Sequence, residues 1–120
     1  MPEWPEITEF QKQFREFVAE RDWDQFHTPK NLAMALAGEV GELLEHFQWL
    51  TAEESSRLSD VRKAEVEQEI ADVQIYLAAL ADRLEIEIGA AVERKMALNA
   101  KKYPAHQVRG SARKYTDYDN

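Results

Sequence analysis

From Asp60 to Leu84 the chain has neither glycine nor proline, and its apolar residues recur as Val66, Ile70, Val73, Leu77, Leu80 and Leu84. Those steps of four and three keep one face of a 3.6-residue helix apolar and exclude the two-residue alternation of a strand. The spacing predicts a long helix starting near Asp60. Only four glycines and four prolines interrupt 120 residues, so the rest of the chain follows the same rule. Ile7, Phe10, Phe14, Phe17 and Val18 make an apolar face after Pro5, a residue suited to a first helical turn. Thr28-Pro29 has the order of an N-cap and a first-turn proline. From there Leu32, Leu36, Val40, Leu43, Leu44 and Phe47 predict a helix to about Leu50, with Gly38 and Gly41 as close-packing positions. Arg21 to Thr28 has no clear period and reads as a loop.

Thr51-Ala-Glu-Glu54 has the spacing of a capping box and predicts a short helix or turn. Ile88, Val92, Met96 and Tyr103 carry helical spacing on to Pro104, with Gly89 near the preceding junction. There is no internal repeat. The expected fold is all-α, a four-helix bundle in a single domain over residues 1–120, with a basic C-terminal tail from about residue 104. Long helices in so short a chain leave apolar surface over, so a homo-oligomer, dimer or tetramer, is expected.

Composition removes several classes of function. The chain holds 23 acids against 15 bases, a net charge of −8, which argues against nucleic-acid and anionic-membrane partners. It has no cysteine, which excludes disulfides, thiolate zinc sites and a cysteine nucleophile, and suits a cytoplasmic location. Its first residues lack the basic-then-apolar order of a signal peptide. The longest apolar run, Ile75 to Ala81, is far short of a membrane span. Charge is unevenly spread. Residues 1–100 carry 21 acids and 10 bases, while the last twenty carry Lys101, Lys102, Arg109, Arg113 and Lys114 against Asp117 and Asp119.

Two acidic pairs stand apart from this background: Glu39-Val-Gly-Glu42 and Glu69-Ile-Ala-Asp72. Their i,i+3 spacing sets both carboxylates of a pair on one side of a helix, about 60° apart. No Lys or Arg lies between Lys30 and Arg57, or between Lys63 and Arg83. These acids therefore lack the i,i+4 partners common on solvated helices. Two such helices packed by their stripes would gather four carboxylates at one rim of the core. Like charges there raise one another's pKa or take a counterion. An all-oxygen donor set suits Mg²⁺ or Mn²⁺. No Glu lies three residues before His27, His46 or His106, so a ferritin-like iron motif is absent. The alternative is an acidic helical interaction module whose carboxylates meet only structural cations or water.

Glu39-x-x-Glu42 followed by Glu69-x-x-Asp72 resembles the signature of the MazG-like all-α nucleoside triphosphate pyrophosphohydrolases. Further stretches are similar to their dCTP pyrophosphatase branch: Phe17 through His27, Gly38 to Leu43, Phe47-Gln-Trp49, Ala71 to Leu77, Lys102 to His106, and Arg109 to Tyr115. The resemblance spans about residues 10–115. It implies Mg²⁺-dependent hydrolysis of a dNTP between the α and β phosphates, with Glu39, Glu42, Glu69 and Asp72 as metal ligands and catalytic groups. It also implies nucleotide contacts from Trp23, Asp24, Gln25, Phe26, His27, Trp49 and Tyr76. Animal members place a His where Phe14 stands here, and their segment between the acid motifs is slightly longer. Those departures bear on substrate preference. The expected substrate is dCTP or a 5-modified dCTP, with dUTP or a damaged purine nucleotide as the alternative.

Overall fold

A computed structural model describes residues 3–112, and these are helical with no strand among them. Arg113, Lys114 and the rest of the expected basic tail beyond Ala112 lie outside the described residues. Residues 5–86 form one compact unit, and the described residues from Glu87 onward belong to another.

In the first unit, α1 (Pro5–Glu20) begins with proline at its first position and Glu6 in its first turn, where an anion favours the helix dipole. Helix α2 (Pro29–Glu45) is capped by Thr28, whose hydroxyl accepts from the Asn31 N–H at 3.1 Å. It ends earlier than its apolar stripe predicts. From His46 to Leu50 the chain tightens into turns closed by three-residue bonds, such as Phe47 N–H to Leu44 O at 2.9 Å. Arg62 Nη1 donates to the His46 carbonyl at 3.1 Å, satisfying one of the acceptors that a helix C-terminus leaves open. The single turn α3 (Ala52–Ser55) carries the expected capping box, with Thr51 and Glu54 bonding each other's main-chain N–H at 3.1 and 2.9 Å. Ser59 then caps α4 (Asp60–Arg83), the longest helix.

Two helix ends escaped the sequence signals. After α1, Asp22 takes φ 55° and closes a Schellman motif, with Asp22 N–H on Ala19 O at 3.1 Å and Trp23 N–H on Val18 O at 3.0 Å. After α4, Glu85 also takes φ 55° and makes the same pair of bonds, to Asp82 O at 3.1 Å and from Ile86 N–H to Ala81 O at 2.8 Å. Glycine usually fills that position. Here acids do. Between Asp22 and α2, the expected loop contains one 3-10 turn, Asp24–Phe26.

Helices α2 and α4 make the main packing of this unit, and α1 lies against α4. The buried side chains are Val18, Leu32, Val66, Ala78, Ala79 and Ala81. This corrects the predicted core face of α4 in part: Val66 of the stripe is buried, and Val73 and Leu80 are half-buried. Ile70, Leu77 and Leu84 of its apolar stripe are exposed, Ile70 by 54%. The alanines turn inward instead, which lets α1 approach closely enough for Gln11 Nε2 to bond the Ala78 carbonyl at 2.9 Å. Gly38 and Gly41 are not close-packing positions either, because a Cβ at each would meet nothing within 4 Å.

In the second unit, α5 (Ile88–Lys102) is capped by the Glu87 carboxylate, which accepts from Gly89 N–H at 3.3 Å. Gly89 thus starts this helix. Lys101 and Lys102 close it, and Pro104 precedes the single turn α6 (Ala105–Val108). Among the described residues, no helix is long and apolar enough to cross a membrane.

Candidate functional site

The seam between α2 and α4 brings the two acidic motifs together. Carboxylate oxygens of Glu39, Glu69 and Asp72 all lie within 4.8 Å of one another, and each residue is half-buried. Helical spacing explains the convergence: Glu69 and Asp72 share one side of α4, and Glu39 meets them from α2. Glu42, the fourth expected member, is exposed at the rim, and its carboxylate acts on both Glu39 and Glu69. Beside it an open cleft is lined by Glu42, Glu45, His46, Glu65, Gln68 and Glu69. The cleft opens Glu69 and the rim acids to solvent. Glu45 and Glu65 lie one helical turn from Glu42 and Glu69 in the same base-free stretches, so the signal that marked the two pairs extended to them as well.

Electrostatics here are strained. Burial, then the hydrogen bond and charge of Glu42, then Asp72 and Glu69, push Glu39 up to about 7. Glu69 is raised as well, first by burial and then by Glu42 and Asp72, with His46 opposing. None of the four acids has an ion pair among the described residues. Moreover, Glu39 Oε2 is buried without a hydrogen-bond partner. A buried carboxylate oxygen with no donor, facing two more carboxylates, is satisfied by a cation and by little else the chain offers. The donor set fits a hard divalent ion bound through oxygen.

The expected nucleotide residues take varied positions. Trp23 lies edge-on against Phe17, with ring centroids 5.9 Å apart. Asp24 is paired with Arg83. Gln25 Nε2 donates to the Asp22 carbonyl at 3.1 Å, and the Phe26 carbonyl accepts from Asn31 Nδ2 at 2.9 Å. His27 packs on Phe14 at 5.8 Å, and burial, then the Arg83 charge, lower its pKa so that the ring is neutral at pH 7. Tyr76 is partly buried on α4, one turn beyond Asp72. Trp49 is 85% exposed in the segment after α2. Arg83 and Asp82 had no local signal, because their partners Asp24 and Arg15 are far away in sequence.

The model of the MazG-like family matches residues 35–118, which include all four acids. The chain belongs to the MazG-like family. Among curated relatives, this MazG-like chain is 48% identical over 115 residues to dCTP pyrophosphatase 1 of Homo sapiens, covering 94% of the chain and 68% of that protein. The Mus musculus dCTP pyrophosphatase 1 is 47% identical over the same lengths. A crystal structure of a pyrophosphatase from Archaeoglobus fulgidus superposes with a TM-score of 0.78 at 49% identity, covering 82% of this chain and 93% of that one. The all-helical fold is therefore that of the MazG-like family, and Trp23–His27 precede the part that the family model matches.

Proposed function

We propose that this chain is a nucleoside triphosphate pyrophosphohydrolase that converts dCTP, or a 5-modified dCTP, and water into the monophosphate and pyrophosphate. The observation that carries this is the convergence of Glu39, Glu69 and Asp72 around a buried, unpartnered oxygen, in a chain nearly half identical to proteins named for dCTP pyrophosphatase activity. Glu39, Glu69 and Asp72 would hold Mg²⁺ or Mn²⁺, with Glu42 as a further ligand or as the rim carboxylate. When bound, the cation neutralises phosphate oxygens and makes the attacking water more acidic.

The chain's own groups supply the remainder. Water adds to the α-phosphorus, the bond to the α–β bridging oxygen breaks, and pyrophosphate leaves with that electron pair. A carboxylate must take the proton of the water. We assign this role to Glu42, which is exposed at the rim and close enough for its charge to act on Glu39 and Glu69. Trp23, Phe26 and Trp49 offer exposed aromatic faces on which a base can stack. His27, held neutral, has one ring nitrogen to donate and one to accept, while Gln25 and Tyr76 add polar edges. In this reading Asp24 belongs to the same nucleotide segment, through its pairing with Arg83.

We also assign the enzyme to a cytoplasmic homodimer or homotetramer in which a second copy covers Ile70, Leu77 and Leu84. The deciding experiment is pyrophosphate release from dCTP, 5-methyl-dCTP, dUTP and dATP with Mg²⁺. The expected result is fastest release from a cytosine nucleotide, lost in Glu39→Ala and Asp72→Asn. No release above the Asp72→Asn background from any nucleotide would overturn the proposal.

A further inference from the structure

The most organised polar feature outside the acid cluster lies at the far end of α4. Asp82 and Arg83 are neighbours in its last turns, and each reaches a different element. Asp82 accepts from Arg15 Nη1 of α1 through both carboxylate oxygens, at 2.8 and 2.7 Å. Arg83 Nη2 donates to the Asp24 carbonyl at 2.9 Å and also to the Asp24 carboxylate. One guanidinium nitrogen thus bridges the main chain and side chain of a single residue 59 positions away.

The carbonyl bond has the larger consequence. An ion pair to an exposed carboxylate can move with the side chain, whereas a bond to the carbonyl restrains the peptide plane between Asp24 and Gln25. The other hydrogen bonds of this turn are local, Gln25 Nε2 to Asp22 O and Asn31 Nδ2 to Phe26 O, and its rings pack on α1, Trp23 on Phe17 and His27 on Phe14. They shape the turn without bonding it directly to α4. Arg83 does relate it, and α4 is the helix that carries Glu69 and Asp72. Asp72 and Arg83 are eleven residues apart on one continuous helix, a rise of about 16 Å. The same guanidinium lines a cavity with Gln11, Phe14, Asp24 and His27.

We infer that Arg83 is a positioning residue: by holding the Asp24 peptide it sets the reach between the Trp23–His27 turn and the carboxylates, and so sets nucleotide affinity rather than the chemical step. This rests on the nucleotide-hydrolase reading above.

The test compares wild type, Arg83→Met, Arg83→Lys and the control Arg57→Ala, which breaks only an exposed i,i+4 pair with Glu53. Two quantities are measured: kcat and KM for dCTP with Mg²⁺, and Mn²⁺ affinity of the nucleotide-free protein by calorimetry. Arg83→Met should raise KM about fivefold, the upper range for a partly exposed ion pair, and leave kcat within about twofold. Mn²⁺ affinity should be unchanged. Arg83→Lys should fall between, since an ammonium keeps the charge but loses the planar fork. Arg57→Ala should match wild type. An unchanged KM in Arg83→Met overturns the inference, as does a parallel loss of kcat and Mn²⁺ affinity, which would mark general loosening. If Arg83→Met does not fold, Arg83→Lys decides, and a wild-type KM there overturns the inference. A wild type that hydrolyses no nucleotide removes the parent proposal and this inference together, whereas an active wild type with unaffected Arg83 variants removes the inference alone.

Discussion

Glu39 and Asp72 are 33 positions apart in sequence and on different helices, yet their carboxylate oxygens lie within 4.8 Å of each other with no base beside them. Two acids at that separation repel unless one holds a proton or a cation intervenes. The raised pKa of Glu39 is the metal-free answer to this conflict. Cation binding is the other answer, and the two compete.

That competition gives a pH dependence. Folded Glu39 keeps its proton up to about pH 7, while an unfolded Glu releases it near 4.5. Across that window the folded state binds more protons, so this group's contribution to stability falls as pH rises. Thermal melts with EDTA should show Tm decreasing between about pH 5 and pH 8. Added Mg²⁺ should raise Tm most at the upper end, because the ligands must be ionised to bind it. Glu39→Gln should flatten the EDTA profile. A wild-type profile already flat in EDTA would contradict the account.

The ligands and the rim acid should separate kinetically. Asp72→Asn removes a negative charge from the converging trio and should lower kcat/KM about a hundredfold or more while weakening Mn²⁺ binding. Glu42→Gln should lower kcat with a smaller effect on Mn²⁺ affinity, because Glu42 stands outside the tight trio. Calorimetry with Mn²⁺ beside steady-state rates distinguishes them. Equal weakening of metal in both variants would make Glu42 a full ligand and not the base.

The C-terminus of α4 offers a stability test. Glu85 occupies a left-handed position at φ 55° where its Cβ is strained. Glu85→Gly should therefore stabilise the fold by about 1 kcal/mol despite the entropy of glycine. Urea unfolding monitored by circular dichroism measures it. A destabilised variant would mean that the Glu85 side chain contributes more than its backbone loses.

These helix ends also explain what the sequence could and could not convey. The N-termini were legible because Thr28, Thr51 and the prolines act on the residues next to them. The convergence of Glu39, Glu69 and Asp72 was legible because i,i+3 pairs in base-free stretches need only helical geometry to meet, although Glu42 stands outside the trio. The C-termini after α1 and α4 were not, since Asp22 and Glu85 fill positions that glycine normally announces. Apolar spacing likewise marked a face of α4 without saying what would cover it. Ile70 and Leu77 look like core residues, but of the stripe only Val66 is buried, beside Ala78, Ala79 and Ala81. Nothing local to Arg83 points to Asp24, because that contact depends on how the chain returns.

The exposed stripe of α4 makes an assembly prediction. Leu77→Asp should shift a dimer or tetramer toward monomer, because burying a leucine contributes about 2 kcal/mol and an unpaired buried charge opposes it. Sedimentation velocity at micromolar and submicromolar concentration reads the change. A monomeric wild type, or a variant with unchanged assembly, would remove this face from the interface.

Asp22 closes α1 through main-chain bonds to Val18 and Ala19, and Thr28 opens α2 through its own hydroxyl. Trp23–His27 are therefore bracketed by two self-sufficient helix caps. Substitutions among those five side chains leave both brackets standing, while Glu39, Glu69 and Asp72 sit on other turns. The side chains of this short insert can therefore change without shifting the ends of α1 and α2, and with the carboxylate trio on α2 and α4 left in place.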